Sequence, residues 1–376
     1  MAEQMKRTRV CIVMGGHWAV QAGGAQYQAK CLAEMLKARQ DLELFYLAHK
    51  VPTNREQDGY RIVHFGPGQR TGTLHVLASL PALYRALKRL RPAVVYQRSL
   101  MPYTGVCALY CKQYGARFVF HVASDWDVRR QTPSGSLFRR LSRRIAEYGL
   151  HRADILVTQT QDQARMLRAE YGLEATAVIP NFHPAPEPHV VTRPRDRRRV
   201  IWVANFKAVK NPEYFVELAE RFAERADVQF VMIGRGAEDP RYRSLFERMA
   251  RLPNLEYLGE LPIERVNREI AASDILVNTS TTEGFPNTFI QAWLRAVPVV
   301  SCWVDPDGCL SSGRAGVLAG SRERLPAVIS ELLADAERLN RLSESARAHG
   351  YANHQQDRAL PLVDLVAGET YARISR

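Results

Sequence analysis

Two periods alternate along the 376-residue chain. Nearly continuous apolar runs predict buried strands: "RVCIVMGG" (9–16), "LELFYLA" (42–48), "AVVYQRS" (93–99), "ARFVFHVAS" (116–124), "DILVTQT" (154–160) and "ATAVIPN" (175–181). Helical spacing runs through "AQYQAKCLAEMLKA" (25–38), "LPALYRALKRLRP" (80–92), "YTGVCALYCKQYG" (103–115) and "SLFRRLSRRIAEYGLHRA" (136–153). Strands that are apolar on both faces and alternate with helices predict a parallel sheet covered on both sides.

The composition then changes. "FHPAPEPHVVTRPRDRRR" (182–199) holds four prolines and a basic cluster and reads as a linker. Beyond it the alternation restarts with "VIWVAN" (200–205), "VQFVMIG" (228–234), "LEYLGEL" (255–261), "DILVNTS" (274–280) and "VPVVSCW" (297–303). The expected organisation is an N-terminal α/β domain over 1–183, a linker over 184–199 and a C-terminal α/β domain over 200–357. Ligands of such sheets bind at the carboxyl ends of the strands, and two facing sheets would place the site in a cleft.

Composition narrows the class. Hydrophobic content of 46% and charged content of 24% suit a globular protein, and no apolar run reaches the roughly 20 residues of a membrane span. The opening residues enter a strand without a secretory apolar segment, so a cytoplasmic protein is expected, with the inner membrane face as a further expected location. The six cysteines lack paired zinc spacing and read as reduced thiols. A net charge of +13 favours an anionic partner: nucleic acid, acidic lipid or a phosphorylated substrate.

The densest chemistry lies in "TEGFPNTFIQAWLRAVPVV" (282–300). A strand ends, "TTEGFPN" turns, and Pro286 and Asn287 start a helix. A helix N-terminus offers free N–H groups to phosphate or sugar oxygens. Glu283 before the turn and Gln291 about one turn into the helix can face the same ligand.

This stretch resembles the retaining family-4 glycosyltransferases, which have the GT-B architecture of two Rossmann-like domains with parallel sheets facing across a cleft. The family motif is a glutamate, seven residues and a second glutamate, with EGFPN-like text between. Further matches follow in order: "GGAQ" (23–26) to the glycine-rich first loop, "VIPNFHP" (178–184) to the interdomain segment, "VANFKAVKN" (203–211) to the first strand and loop of the donor domain, and "VMIGRG" (231–236) to its next strand. Together they span about residues 10 to 305.

The resemblance implies roles. Glu283 would contact donor-sugar hydroxyls, with the amides of Gly284, Phe285 and Asn287 near sugar and diphosphate. Gly23 and Gly24 would also belong to the donor site. Gln291 stands where the family has the ribose-binding acid; a glutamine offers one acceptor and one donor group, so the ribose role is expected to persist in neutral form. Lys210 matches the diphosphate lysine. Asn205 replaces the family's arginine, and Lys207 could supply the missing charge. His121, ending "RFVFH", would lie by the donor sugar without being a general base. Arg98, Asp125 and Asp127 are candidate acceptor contacts. The last helix, about 358–376, is expected to pack on the N-terminal domain, as this architecture usually arranges it.

The implied function is transfer of a sugar from a nucleotide-diphosphate donor to a saccharide or lipid-linked acceptor, in surface polysaccharide or glycolipid assembly. No cofactor is expected beyond the nucleotide-sugar substrate. "DWD" (125–127) and "DPD" (305–307) fit a metal-binding pattern of a different glycosyltransferase architecture, and no essential metal is expected. Neither a P-loop nor a dinucleotide fingerprint occurs in the sequence. The helix 136–153 is read as packing on Leu137, Leu141, Ile145 and Tyr148, with Arg139, Arg140, Arg143 and Arg144 toward an anionic membrane or simply toward water. A nucleotide-sugar epimerase is the alternative enzyme. A basic nucleic-acid-binding protein is the alternative without activity, although no recognised nucleic-acid module is present.

Overall fold

The computed structural model describes residues 7–21, 23–53, 56–57, 59–66, 72–130, 136–186 and 197–368. The chain forms two compact units, Met1–Phe182 with Asp357–Arg376, and His183–Gln356. Of the expected linker, residues 187–196 lie outside the described residues.

The first unit runs β1 (Thr8–Gly16), α1 (Gly24–Lys37), β2 (Leu42–Lys50), β3 (Glu56–Gln57), β4 (Tyr60–His64), α2 (Thr73–Leu90), β5 (Val94–Arg98), α3 (Pro102–Tyr114), β6 (Arg117–His121), α4 (Asp125–Val128), α5 (Leu137–Leu150), β7 (Ile155–Thr158), α6 (Gln161–Tyr171) and β8 (Ala177–Val178). The sheet order is β3-β4-β2-β1-β5-β6-β7-β8. Every pairing is parallel except the β3–β4 ribbon. Alternate residues of β1 feed opposite cores: Val10, Ile12 and Met14 one, Cys11 and Val13 the other.

The second unit runs β9 (Arg198–Val203), α7 (Pro212–Arg221), β10 (Val228–Ile233), α8 (Arg243–Met249), β11 (Leu255–Tyr257), α9 (Ile263–Ala271), β12 (Ile275–Asn278), α10 (Asn287–Trp293), β13 (Val299–Ser301), β14 (Gly316–Leu318), α11 (Leu325–Ala334) and α12 (Ala336–His354). Its sheet, β11-β10-β9-β12-β13-β14, is wholly parallel. A last helix, α13 (Leu360–Ala367), places Leu362, Val363 and Val366 in the core of the first unit beside β1 and α1. Each unit is thus a Rossmann-like α/β layer structure.

In both sheets the strand order reverses beside the first strand, between β1 and β5 and between β9 and β12. Such switch points leave a crevice at the carboxyl ends of the strands.

Three features differ from the sequence reading. The β3–β4 ribbon was not anticipated; Tyr60–His64 has none of the continuous apolar character of the central strands. Helix α2 starts at Thr73 and carries Pro81 inside it. Most important, α5 does not pack on Leu137, Leu141 and Tyr148, which are exposed. Its buried face is Ala146, Gly149 and Leu150. A Cβ on Gly149 would stand 2.3 Å from the Thr104 carbonyl carbon, and one on Gly105 would stand 2.4 Å from the Ile145 oxygen. Two glycines let α3 and α5 touch backbone to backbone, so small residues rather than large apolar ones mark this interface.

Candidate functional site

In the second unit the loops after β9 and β12 meet at the switch point. Trp202 Nε1 on β9 donates to Thr279 Oγ1 at 2.9 Å, and Thr279 Oγ1 donates to the Lys210 carbonyl at 2.6 Å. Asn211 Nδ2 donates to the Thr279 carbonyl at 3.0 Å, and the Thr281 amide to the Val209 carbonyl at 3.0 Å. These bonds fix Lys210 beside Glu283, and the two side chains form an ion pair, both mostly buried. Ser280 Oγ donates to the same carboxylate oxygen at 2.8 Å. A lysine and a glutamate held this way present preorganised positive charge and an acceptor at one point.

The turn beyond Glu283 is braced by its own unit. Phe285 lies in the core, its ring 4.8 Å from that of His354. Asn287 bonds the side chain of buried His183, whose imidazole is held down to about 3, chiefly by burial and then by the Arg295 charge. Gly284 is partly buried in the same turn.

Gln291 on α10 is buried, and its Nε2 donates to Asn267 Oδ1 on α9 at 2.8 Å. One of its two N–H groups is engaged by Asn267, which leaves Oε1 and the second N–H for the expected diol pairing. Asn205 is also engaged, its Oδ1 accepting from the Arg235 amide at 3.2 Å. That bond joins the loops after β9 and β10, where Gly234 (φ +151) approaches so closely that a Cβ would fall 1.7 Å from the Ala204 oxygen. Asn205 thus braces the loop through its Oδ1. Lys207 is exposed on the same loop.

In the first unit Arg98 and His121 end neighbouring strands and are register partners. Arg98 is only 2% exposed, and its guanidinium is held by neutral groups. Nη2 donates to Asn181 Oδ1 at 2.5 Å and Nη1 to His121 Nδ1 at 3.3 Å. Tyr96 Oη lies 2.9 Å from the same Nδ1. A guanidinium can only donate, so Nδ1 is an acceptor. Burial, then the Arg98 charge, hold His121 well below the usual imidazole range, and the ring is neutral. Its proton therefore sits on Nε2. That atom and Arg98 Nε are buried with no partner among the described residues.

Asp127 is corrected. Its carboxylate accepts from the amides of Leu100 (3.0 Å), Ala123 (2.7 Å) and Ser124 (3.2 Å), so it builds the loop and does not orient an acceptor. Asp125 accepts from Gln163 Nε2 at 3.1 Å, and burial raises its carboxyl above the usual range. Asp305 likewise accepts from the amides of Leu310 and Ser311. Gly23 and Gly24 form the exposed start of α1. The sequence reading missed Ser280, Asn267, Tyr96 and Asn181, which orient named site residues; "NTS" and "IPN" at strand ends were the only available signals.

Comparison with known proteins agrees with this architecture. A family model described as glycosyltransferase family 4 matches residues 22–184, and one described as glycosyl transferases group 1 matches residues 197–335. No curated protein matches the chain in sequence. Among solved structures, sucrose-phosphate synthase from Thermosynechococcus elongatus superposes with a TM-score of 0.75 at 17% identity, covering 96% of this chain and 98% of that one. HepE of Anabaena, in complex with UDP and glucose, gives 0.74 at 17% identity, with coverage of 96% and 100%. WaaG, a glycosyltransferase involved in lipopolysaccharide biosynthesis, gives 0.73 at 15% identity, with coverage of 96% and 100%. At these identities the structures speak for the fold, and the two family models for the activity class. The chain belongs to the glycosyltransferases of group 1 and family 4.

Proposed function

We propose that the protein is a retaining glycosyltransferase whose second unit binds a nucleotide-diphosphate sugar and whose first unit binds the acceptor. The carrying observation is the Lys210–Glu283 pair at the β9/β12 switch point. Lys210 neutralises the diphosphate as the glycosidic bond breaks, and Glu283 accepts from sugar hydroxyls. Preorganised groups of this kind are worth about 3 kcal/mol each in the transition state. Gln291 Oε1 accepts from a ribose hydroxyl. The structure of HepE with UDP and glucose makes UDP-glucose the first donor to test.

His121 and Arg98 would shape the acceptor side of the first unit through their mutual contact, His121 as a neutral ring. Neither is a base, which suits a retaining reaction in which the leaving phosphate takes the acceptor proton. No metal is required in this reading, because Lys210 supplies the charge and both Asp-X-Asp segments are engaged in local structure. An epimerase is the second reading, but both family models describe glycosyl transfer. Incubation with labelled UDP-sugars and candidate acceptors, with anomeric analysis by NMR, tests the proposal. An epimerised sugar formed from the donor alone, without an acceptor, would contradict it.

The acceptor end is read as facing an anionic membrane surface, consistent with surface-glycolipid assembly. Leu137, Phe138 and Leu141 are 77%, 49% and 47% exposed at the start of α5, among exposed Arg139, Arg140 and Arg144. Apolar groups interleaved with cations suit a lipid interface. Among the described residues no helix is long and apolar enough to cross a membrane. Sedimentation with anionic and neutral liposomes tests this: anionic vesicles alone should carry the protein down, and Leu137→Ser/Phe138→Ser should abolish it.

A further inference from the structure

At the β1/β5 switch point the first unit has an open recess of about 490 Å³, within the roughly 300–1,000 Å³ of small-molecule sites. Its walls come from the ends of β1 and β2 and the starts of α2 and α3, with α5 closing one side. Three cations, Lys50, Arg139 and Arg143, line it, and among the described residues no carboxylate does. Arg143 is already satisfied by Glu147 at 2.7 Å and by the Arg129 carbonyl at 3.0 Å. Lys50 and Arg139 make no ion pair among the described residues, whereas Arg143 beside them does. Thr73, at the first position of the 18-residue α2, also lines the recess. That helix has neither a side-chain cap nor an acid in its first turn. Met101, Pro102 and Tyr103 supply an apolar wall.

We propose that this recess seats an acidic group of the acceptor, a phosphate or carboxylate held between Lys50 and Arg139, with the uncharged part against Tyr103. The proposal rests on the glycosyltransferase reading and narrows its acceptor to an anionic saccharide or glycolipid. Two uncommitted cations in a recess without a counter-charge discriminate against neutral sugars, since a neutral ligand would leave the cations without a partner. Arg139 joins the recess to the exposed apolar start of α5, so a phosphate next to a lipid would meet both features.

Calorimetric titration tests the assignment with glucose 1-phosphate, glucuronate and glucose as probes. The proteins are wild type, Lys210→Ala and Lys50→Gln/Arg139→Gln. The Lys210→Ala variant removes the competing phosphate contact of the donor site. The expected result is that at least one acidic sugar binds tenfold or more tightly than glucose. That preference should persist in Lys210→Ala and vanish in the double variant, whose UDP affinity stays unchanged. Binding of glucose 1-phosphate alone identifies phosphate as the seated group, and binding of glucuronate alone identifies a carboxylate. Equal or absent binding of acidic and neutral sugars, or a double variant that binds like wild type, overturns the proposal. Loss of UDP binding by wild type would instead overturn the underlying donor reading, so the two failures are distinguishable.

Discussion

Lys210 and Glu283 are 73 residues apart in the chain and form an ion pair at the carboxyl ends of adjacent strands. Neither loop makes the pair alone: Thr279 fastens one to the other through the Lys210 carbonyl. In the proposed reaction, removing the lysine would strip charge from the leaving diphosphate, and it leaves a mostly buried carboxylate without its cation. Lys210→Ala is expected to lower kcat/KM about 100-fold, near 3 kcal/mol, and also to lower the thermal midpoint because the Glu283 carboxylate loses its cation. Lys210→Arg should retain more activity than Lys210→Ala. Steady-state kinetics with circular dichroism as a fold check would decide; an alanine variant within twofold of wild type removes Lys210 from the mechanism.

In the proposed site Gln291 would offer ribose Oε1 and one N–H, the other N–H being donated to Asn267. A carboxylate at 291 could accept from Asn267 turned by half a rotation and still keep an oxygen for the nucleotide. Hydrogen bonds to a charged acceptor are roughly twice as strong as neutral ones. Gln291→Glu should therefore lower the donor KM by about three- to tenfold with kcat little altered. A raised KM would mean that Gln291 does not face the ribose.

The Arg98 contact fixes the state of His121. With Nδ1 accepting and the ring neutral, the imidazole does not titrate in the usual histidine range. The acid limb of the kcat/KM profile should lack an ionisation near 6.5 from this residue. In Arg98→Met the guanidinium is gone, His121 moves upward, and an acid-side limb should appear. Nitrogen-15 NMR of histidine-labelled protein reads the tautomer directly. A wild-type Nδ1–H signal for His121 would contradict the assignment.

Stability should fall on mild acidification. His183 has a folded pKa of about 3 against an ordinary 6.5, so between these values the unfolded chain binds more protons than the native one. Its contribution is fully present above 6.5 and is lost as pH falls toward 3, at up to about 1.4 kcal/mol per pH unit. His349, held down to about 4 by burial, adds in the same direction. The unfolding free energy should drop between pH 7 and pH 5, and His183→Gln should flatten that slope. An unchanged slope would place the sensitivity elsewhere.

Much of this architecture was legible because central parallel strands are apolar on both faces. "VIWVAN" and "DILVNTS" could hardly be anything but strands, and their loops carry Lys210 and Glu283. What escaped was non-local. The packing face of α5 is written in Gly149 and Ala146, whose lack of bulk gives no apolar signal. Asp127 resembles a site acid in sequence, yet three backbone amides occupy it. Gln291, Asn205 and Arg98 could be named, but their partners Asn267, Arg235 and Asn181 lie 24, 30 and 83 residues away. Only the folded chain brings them together.

The most direct test of the central claim is a thermal-shift screen against UDP-, GDP-, ADP-, CMP- and dTDP-sugars on wild type and Lys210→Ala. The account predicts that one nucleotide class stabilises the wild type and that Lys210→Ala removes the shift. Stabilisation that survives Lys210→Ala undiminished, or none with any nucleotide sugar at millimolar concentration, would contradict a donor site built on Lys210 and Glu283.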